Sequence, residues 1–345
     1  MTGTEPEPGG PQPGAPDPGA PDPGASERLE HAILGETPTL DAREVAQEAG
    51  VDVEQARRLW RALGFPEYAG DVAFNRADVR ALREVTEVVA AGALDLDTAV
   101  NLTRAVGQTM ARLADWEVAN LVQRIEAIEA SEEASGSRVT TALQMVDQVQ
   151  PTFERLLVYA FRRHLAAAAS RVEALGSVEE DLHTIDVTVG FVDIVAFTAL
   201  SNELDEDRIG DLVEVFETRC ADIIAAHRGR MIKSIGDSVL IVNDDPERAL
   251  ETAEQVIAVV GRDGRLPDIR IGLATGSVVM RMGDVFGRPV NLAARLTAVA
   301  RRNRVIVDRA TADLLPEERF STRPLPARPV RGFGVLEPLT VRRRD

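Results

Sequence analysis

The chain has 345 residues, 44% of them apolar, and its 39 basic and 56 acidic side chains give a formal charge of −17. That length suits two or three domains, each with its own core, and the acidic balance argues against binding nucleic acid or anionic membranes over a broad surface. A lone cysteine, Cys220, excludes an intrachain disulfide, no apolar run approaches the roughly 18 residues that span a bilayer, and no charged-then-apolar leader opens the chain, so a cytoplasmic protein is expected.

Residues 1–26 repeat proline, glycine, alanine and aspartate. Proline removes backbone donors and glycine adds chain entropy, so a disordered tail is expected. From residue 27, Leu29, Ile33 and Leu34 have helical spacing, and Thr39–Leu40–Asp41 reads as a cap before AREVAQEAG. Gly50 closes that helix, and VDVEQARRLWRALGF starts a second one that ends at Gly64 and Pro66. The pair has the proportions of a helix-turn-helix carrying Arg57, Arg58 and Arg61. A packing unit whose arginines pair with Glu44, Glu48 and Glu54 fits the acidic surroundings better.

From Asn75 to Ala134 the apolar residues recur with helical period, and a last helical run extends from about Val139 to Leu175, interrupted by Pro151. An all-α N-terminal domain over 27–150 is therefore expected, with 151–180 as a coupling helix and linker. The alanine-rich segment YAFRRHLAAAASR favours a stiff helix.

Beyond this, over 181–345, strands and helices alternate. DVTVGFVDI is a buried strand carrying one carboxylate, Asp193, whose cost there requires a partner or a cation. A helix over about 205–227 follows, with Cys220 on it as a small buried residue. GRMIKSIGDSVLIVN reads as a hairpin around Gly236–Asp237. An amphipathic helix (PERALETAEQVIAVVG), the strand IRIGLATGSVVMR, a helix over Asn291–Arg301 and the strand RVIVD complete the pattern. This is an α/β sandwich whose built-in hairpin makes the sheet mixed.

Asp193 and Asp237 together offer two carboxylates at two turns, suited to oxygen-loving cations bridged by phosphate. Alone, Asp237 reads more readily as a plain turn residue, since Gly-Asp is common in turns. Strand alternation puts Lys233, Ile235 and Asp237 on one face, with Ile232 and Ser234 on the other. Asn291 and Arg295, four apart, share a helical face, where an arginine fork suits phosphate oxygens.

In order and spacing, FVDIVAFT, IKSIGDSVL and GDVFGRPVNLAARL resemble the catalytic domain of class III nucleotide cyclases. The resemblance implies a ferredoxin-like βαββαβ catalytic fold and an adenylate cyclase acting as a homodimer. It implies two Mg²⁺ or Mn²⁺ ions per site on Asp193, Asp237 and the Ile194 carbonyl, with Lys233 and Asp284 reading the base. Asn291 and Arg295 would act on the transition state, and Arg331 would contact phosphate. A Lys–Asp pair complements adenine, with its N1 acceptor and N6 donor, and mismatches guanine, so ATP is the expected substrate. The resemblance implies glycine or another small residue beside the phosphates where this chain has Ala196, whose extra bulk is expected to weaken triphosphate binding only modestly.

The segments VAQEAGVDVEQARRLWRALGFP and YAFRRHLAAAASR resemble the regulatory domain that precedes some actinobacterial, mycobacterial-type cyclases. That resemblance implies a pH-responsive, autoinhibitory module, with His164 a candidate sensor because histidine titrates near neutrality. The alternatives are a catalytically silent nucleotide sensor, which would usually have lost a metal aspartate or the arginine, and a helix-turn-helix regulator. Neither a membrane nor a nucleic-acid partner is expected.

Overall fold

The computed structural model describes residues 24–66, 72–131, 134–175, 184–261, 263–264 and 266–344. The tail expected over 1–26 lies outside them up to residue 23, as does the linker from residue 176. The chain divides into two compact units, Met1–Ala166 and Ala167–Asp345.

The first unit is helical: α1 (Ala25–Leu34), α2 (Ala42–Ala49), α3 (Val53–Leu63), α4 (Arg76–Ala90), α5 (Leu96–Glu129) and α6 (Arg138–Leu175), the last continuing past the unit's end. Asp41 caps α2 in a reciprocal box with Glu44, and Gly50 and Gly64 close α2 and α3 in the left-handed conformation. Val45, Ala46, Leu59, Val79, Leu82 and Val100 form the core, where the rings of Trp60 and Phe74 stack 4.4 Å apart. Pro151 does not interrupt α6. The proline forfeits one backbone hydrogen bond, and the turns on either side carry the helix across it. Arg57 and Arg61 both reach Glu54, at 3.7 and 2.7 Å, while Arg58 pairs with Asp97 of α5 at 2.6 Å. These arginines are thus engaged within the unit, which is the packing reading. Two of the expected acids have other roles, since Glu48 holds Arg76 and Glu44 belongs to the cap.

The second unit begins with β1 (Thr184–Ile194), α7 (Phe197–Ser201), α8 (Glu206–Ala226), β2 (Arg230–Ile235), β3 (Ser238–Asn243), α9 (Pro246–Val259) and β4 (Ile269–Arg281). After these come β5 (Asp284–Phe286), α10 (Arg288–Val299), β6 (Arg304–Val307), α11 (Arg309–Asp313), β7 (Phe320–Pro324), β8 (Arg328–Val330), β9 (Gly334–Leu336) and β10 (Leu339–Arg343). The sheet order is β2-β3-β1-β4-β6-β10-β7, with β5 on β4, and β8 and β9 pair separately. The strands β4-β1-β3-β2 are mutually antiparallel and interleave with α8 and α9 as βαββαβ. The sheet is mixed, but the hairpin is not the cause. The parallel neighbours are β4 and β6, joined through α10.

Alternation along the strands sorts the core into two layers. Val192, Ile194, Val239, Ile241, Ile269 and Ile271 face α8 and α9, where Phe216, Cys220 and Leu250 pack. Val187, Val189, Leu240, Val242 and Ala274 face α10 through Ala293 and Leu296. Cys220 is fully buried, and burial pushes its thiol up to about 12, so it is a packing residue and no nucleophile. At Gly272 of β4 any Cβ would run into the backbone of Ala293 and Thr297, so the missing side chain is what lets α10 lie on the sheet. That close approach fixes where Asn291 and Arg295 are presented.

Candidate active site

Asp193 lies on the central strand, with Ser238 of β3 opposite it on one side and Arg270 of β4 on the other. Both neighbours use that register. The Ser238 hydroxyl donates to Oδ1 of Asp193. Arg270 donates from Nε to Oδ2 at 2.7 Å, and its Nη2 lies 2.6 Å from the same oxygen. The third arm of Arg270 donates to the carbonyl of Ala298, near the end of α10, at 3.0 Å. The cost of a charge in an apolar strand is offset by these partners; the guanidinium occupies Oδ2 with two nitrogens, while Oδ1, with one donor, keeps a free lone pair.

Asp237 occupies the turn between β2 and β3, where Gly236 takes a left-handed φ of 61°. Its carbonyl accepts from the Ile194 amide at 3.1 Å, tying the turn to the end of β1. Burial, and then the negative charge of Asp193, raise the Asp237 carboxyl above the ordinary aspartate value. Two carboxylates that feel each other's charge, beside main-chain carbonyls, form a hard-oxygen set of the kind Mg²⁺ or Mn²⁺ takes together with phosphate and water. Among the described residues no group of three or more His, Cys, Asp or Glu gathers, at this site or elsewhere, so the set here is two carboxylates and main-chain oxygens.

The raised value has a stability consequence. The folded chain holds the Asp237 proton more tightly than the unfolded one, so above the folded pKa the ionised carboxylate lowers stability. That penalty fades as pH falls from the folded toward the unfolded value. Asp237 is only partly buried, so screening by solvent leaves a few tenths of a kcal/mol. Asp237→Asn without metal should therefore melt about 1–2 °C higher at pH 7, with a gain that shrinks on acidification. An equal gain at all pH values would exclude this origin.

Between Met231 and Lys233 the pairing of β2 with β3 shifts by one residue, so Lys233 stands opposite Leu240. The bulge corrects the simple alternation expected for β2, because Ile232 packs in the same layer as Leu240 and not on the opposite face from Lys233. Lys233 Nζ lies 2.5 Å from Asp284 Oδ2, both side chains being about a quarter to a third exposed. Oδ1 of Asp284 accepts its neighbour's amide, Val285 N, at 2.9 Å. The structure thus brings together the two residues expected to read a base, 51 positions apart in the chain.

Asn291 and Arg295 lie on the exposed side of α10. With Arg288, Arg331, Gly332 and Phe333 they line a 660 Å³ cavity. Among the described residues no carboxylate lines it, and Asp193, Asp237, Lys233 and Asp284 are absent from its walls. The site residues therefore fall into two sets on the one chain: an acidic set with the Lys233–Asp284 pair, and a guanidinium set. His164 lies on α6 in the first unit, exposed. Ala196 takes a left-handed φ of 59° as the N-cap of α7, a conformation that costs a residue with a Cβ about 1–2 kcal/mol. Glycine would carry no such strain there.

Sequence reasoning missed Arg270, Ser238, Arg288 and Phe333. Arg270 was within reach, since it is a charge in the apolar strand IRIGLA and demands a partner just as Asp193 does.

Comparison with known proteins accords with this geometry. The adenylate and guanylate cyclase catalytic domain matches residues 180–341, and the adenylate cyclase regulatory domain matches 26–165. An adenylate cyclase of Streptomyces coelicolor is 39% identical, over 92% of this chain and 90% of its own length. The chain belongs to the adenylate cyclase family. An adenylate cyclase of Streptomyces griseus is 36% identical over 92% of this chain and 88% of its own. A pH-sensitive adenylate cyclase of Mycobacterium tuberculosis is 30% identical over 80% and 70% respectively. Among the described residues no helix is long and apolar enough to cross a membrane.

Proposed function

We propose that this chain is a cytoplasmic enzyme that converts ATP to 3′,5′-cyclic AMP and pyrophosphate at two sites formed between the copies of a homodimer. The observation that carries the choice of ATP is the Lys233–Asp284 pair. One N–H of the lysine is committed to Asp284, leaving others for adenine N1, and Asp284 keeps lone pairs to accept from the N6 amine. Guanine, with O6 and N1–H in those places, would meet the wrong polarity from the aspartate–lysine order.

The division into two sets supports the dimer. Asp193 and Asp237 of one protomer would face Asn291 and Arg295 of the other, and two-fold symmetry makes two such sites. Exposed apolar side chains on α5 and α6, among them Trp116, Phe153, Leu156, Phe161 and Leu165, favour self-association of the helical unit.

Asp193, Asp237 and the Ile194 carbonyl would hold two Mg²⁺ or Mn²⁺ ions. Bound there, the metal supplies Lewis acidity at the phosphoryl oxygens and lowers the pKa of the ribose 3′-hydroxyl. Ser238 and Arg270 keep the Asp193 carboxylate in a fixed orientation, so little reorganisation is needed on binding. Asn291 orients the ribose by hydrogen bonding, so that its 3′-oxygen lies in line with the α-phosphorus and the departing pyrophosphate. Arg295 presents its fork to the charge that grows on the phosphorus oxygens and the leaving group. Arg331 contacts the outer phosphates.

The N-terminal unit, 27–150, is assigned a restraining role, transmitted through 151–180 into the catalytic domain at 181–345. His164 would supply part of a pH response, since imidazole is the side chain that titrates near neutrality. Cyclic AMP formation from ATP by the full chain, with Mn²⁺ or Mg²⁺ across pH 5–8, tests the main reading. No product under any of these conditions would sink it. A chain lacking residues 1–180 that is no faster than the whole removes the restraint alone, and an unchanged pH profile for His164→Ala removes the sensor.

A further inference from the structure

We propose that Arg288 is a third phosphate-binding arginine, which holds the terminal phosphates of the substrate and the pyrophosphate product. The inference rests on the ATP cyclase reading and deepens it.

Arg288 opens α10, with Asn291 and Arg295 three and seven positions further along, so the three share one face of the helix. Arg331 completes the wall from the loop after β8, and Phe333 lies beneath, its ring centroid 5.4 Å from the Arg288 guanidinium carbon. Stacking on an aromatic face holds an arginine in place without neutralising it. Among the described residues Arg288, Arg295 and Arg331 form no ion pair, whereas Arg230, Arg270, Arg319 and Arg343 each hold an acid. Three unpaired guanidiniums around one cavity repel one another, in a chain whose net charge is −17. Acidic partners were plentiful and none is placed here. A polyanion with three or more negative charges relieves that repulsion, and a triphosphate or pyrophosphate has the charge and the size.

Position on the helix divides the work. Arg295 lies two turns into α10, while Arg288 is its first residue, where the helix dipole adds positive potential although Pro289 supplies no amide. Arg288 is thus assigned to the outer phosphates, whose charge changes little between ATP and the transition state. A contact equally strong in both states alters substrate affinity and leaves turnover nearly unchanged.

The test uses the full chain and Arg288→Ala, Arg288→Lys and Phe333→Leu variants, with exposed Arg323→Ala as a control. Steady-state cyclic AMP formation is combined with calorimetric binding of inorganic pyrophosphate in the presence of Mg²⁺, and with inhibition by adenosine, which carries no phosphate. Arg288→Ala is expected to raise KM for ATP and weaken pyrophosphate binding by about 5–20-fold, with kcat within about twofold and adenosine inhibition unchanged. Lysine should recover part of the loss, Phe333→Leu should show a smaller one, and the control none. If Arg288→Ala binds pyrophosphate within twofold of the unaltered chain while that chain makes cyclic AMP, the proposal is overturned and the cyclase reading stands. Direct pyrophosphate binding needs no turnover. A chain that makes no cyclic AMP but binds pyrophosphate through Arg288 would count against the cyclase reading alone. An equal rise in the adenosine constant would point to a structural role for Arg288 and overturn the assignment.

Discussion

Chains carrying Asp193→Asn and chains carrying Arg295→Ala each make cyclic AMP at least about a hundredfold more slowly than the unaltered chain, yet an equal mixture regains up to about a quarter of its rate. The fraction follows from symmetry. Half of the randomly assorted dimers pair one variant with the other, and each such dimer has one site with both defects and one with neither. Asparagine is chosen at position 193 because Arg270 sits against that carboxylate with its side chain only 28% exposed. Removing the side chain altogether would leave a guanidinium half-buried without its partner, a loss that costs several kcal/mol when burial is complete. Asparagine keeps an acceptor for Arg270 and turns an NH2 toward the Ser238 hydroxyl, which can accept from it, but surrenders the charge a metal needs. Arg295 is exposed on α10, so its truncation should leave the melting temperature unaltered. A mixture no faster than the mean of the two variants measured separately would place both sets of residues in one protomer and remove the shared site.

Lys233→Met should lower kcat/KM for ATP by about 10–100-fold while leaving the slow reaction with GTP within a fewfold, so that discrimination between the bases narrows. The loss corresponds to about 1–3 kcal/mol for one base-edge contact. It is enlarged because Asp284 loses the cation 2.5 Å from its Oδ2 and is left partly buried with only the Val285 amide donating to it. Competing ATP and GTP in one assay and measuring both cyclic products checks the point. Equal losses with both nucleotides would mean that Lys233 supports the sheet edge and does not read the base.

Legibility in the sequence followed the range of the physics involved. The capping box at Asp41, the left-handed closures at Gly50 and Gly64, and the Gly236–Asp237 hairpin depend on neighbours a few residues away, and each is found where local chemistry puts it. Glu54, the partner of Arg57 and Arg61, was legible by identity, whereas the partner of Arg58 was legible only in kind, as an internal acid. Asp97 lies 39 residues from Arg58 and reaches it only once α3 and α5 cross. Pro151 shows the limit of a local rule, since a proline ends many helices but not one continued firmly on both sides.

At the site, the sequence by itself determined that Asp193 sits in a strand too apolar to leave a charge unattended, and that Asp237 rides on a tight turn. Both follow from residue type and period. Which groups attend Asp193 was decided by the antiparallel register that sets Ser238 and Arg270 on either side of it, because cross-strand neighbours are chosen by tertiary pairing and not by order along the chain. The bulge at Ile232, which directs Lys233 toward Asp284, is likewise a property of the pairing. So is the gathering of Arg288, Arg295 and Arg331 around one cavity with no acid in its wall, for charges far apart in sequence can be added up only once the fold has fixed the distances between them.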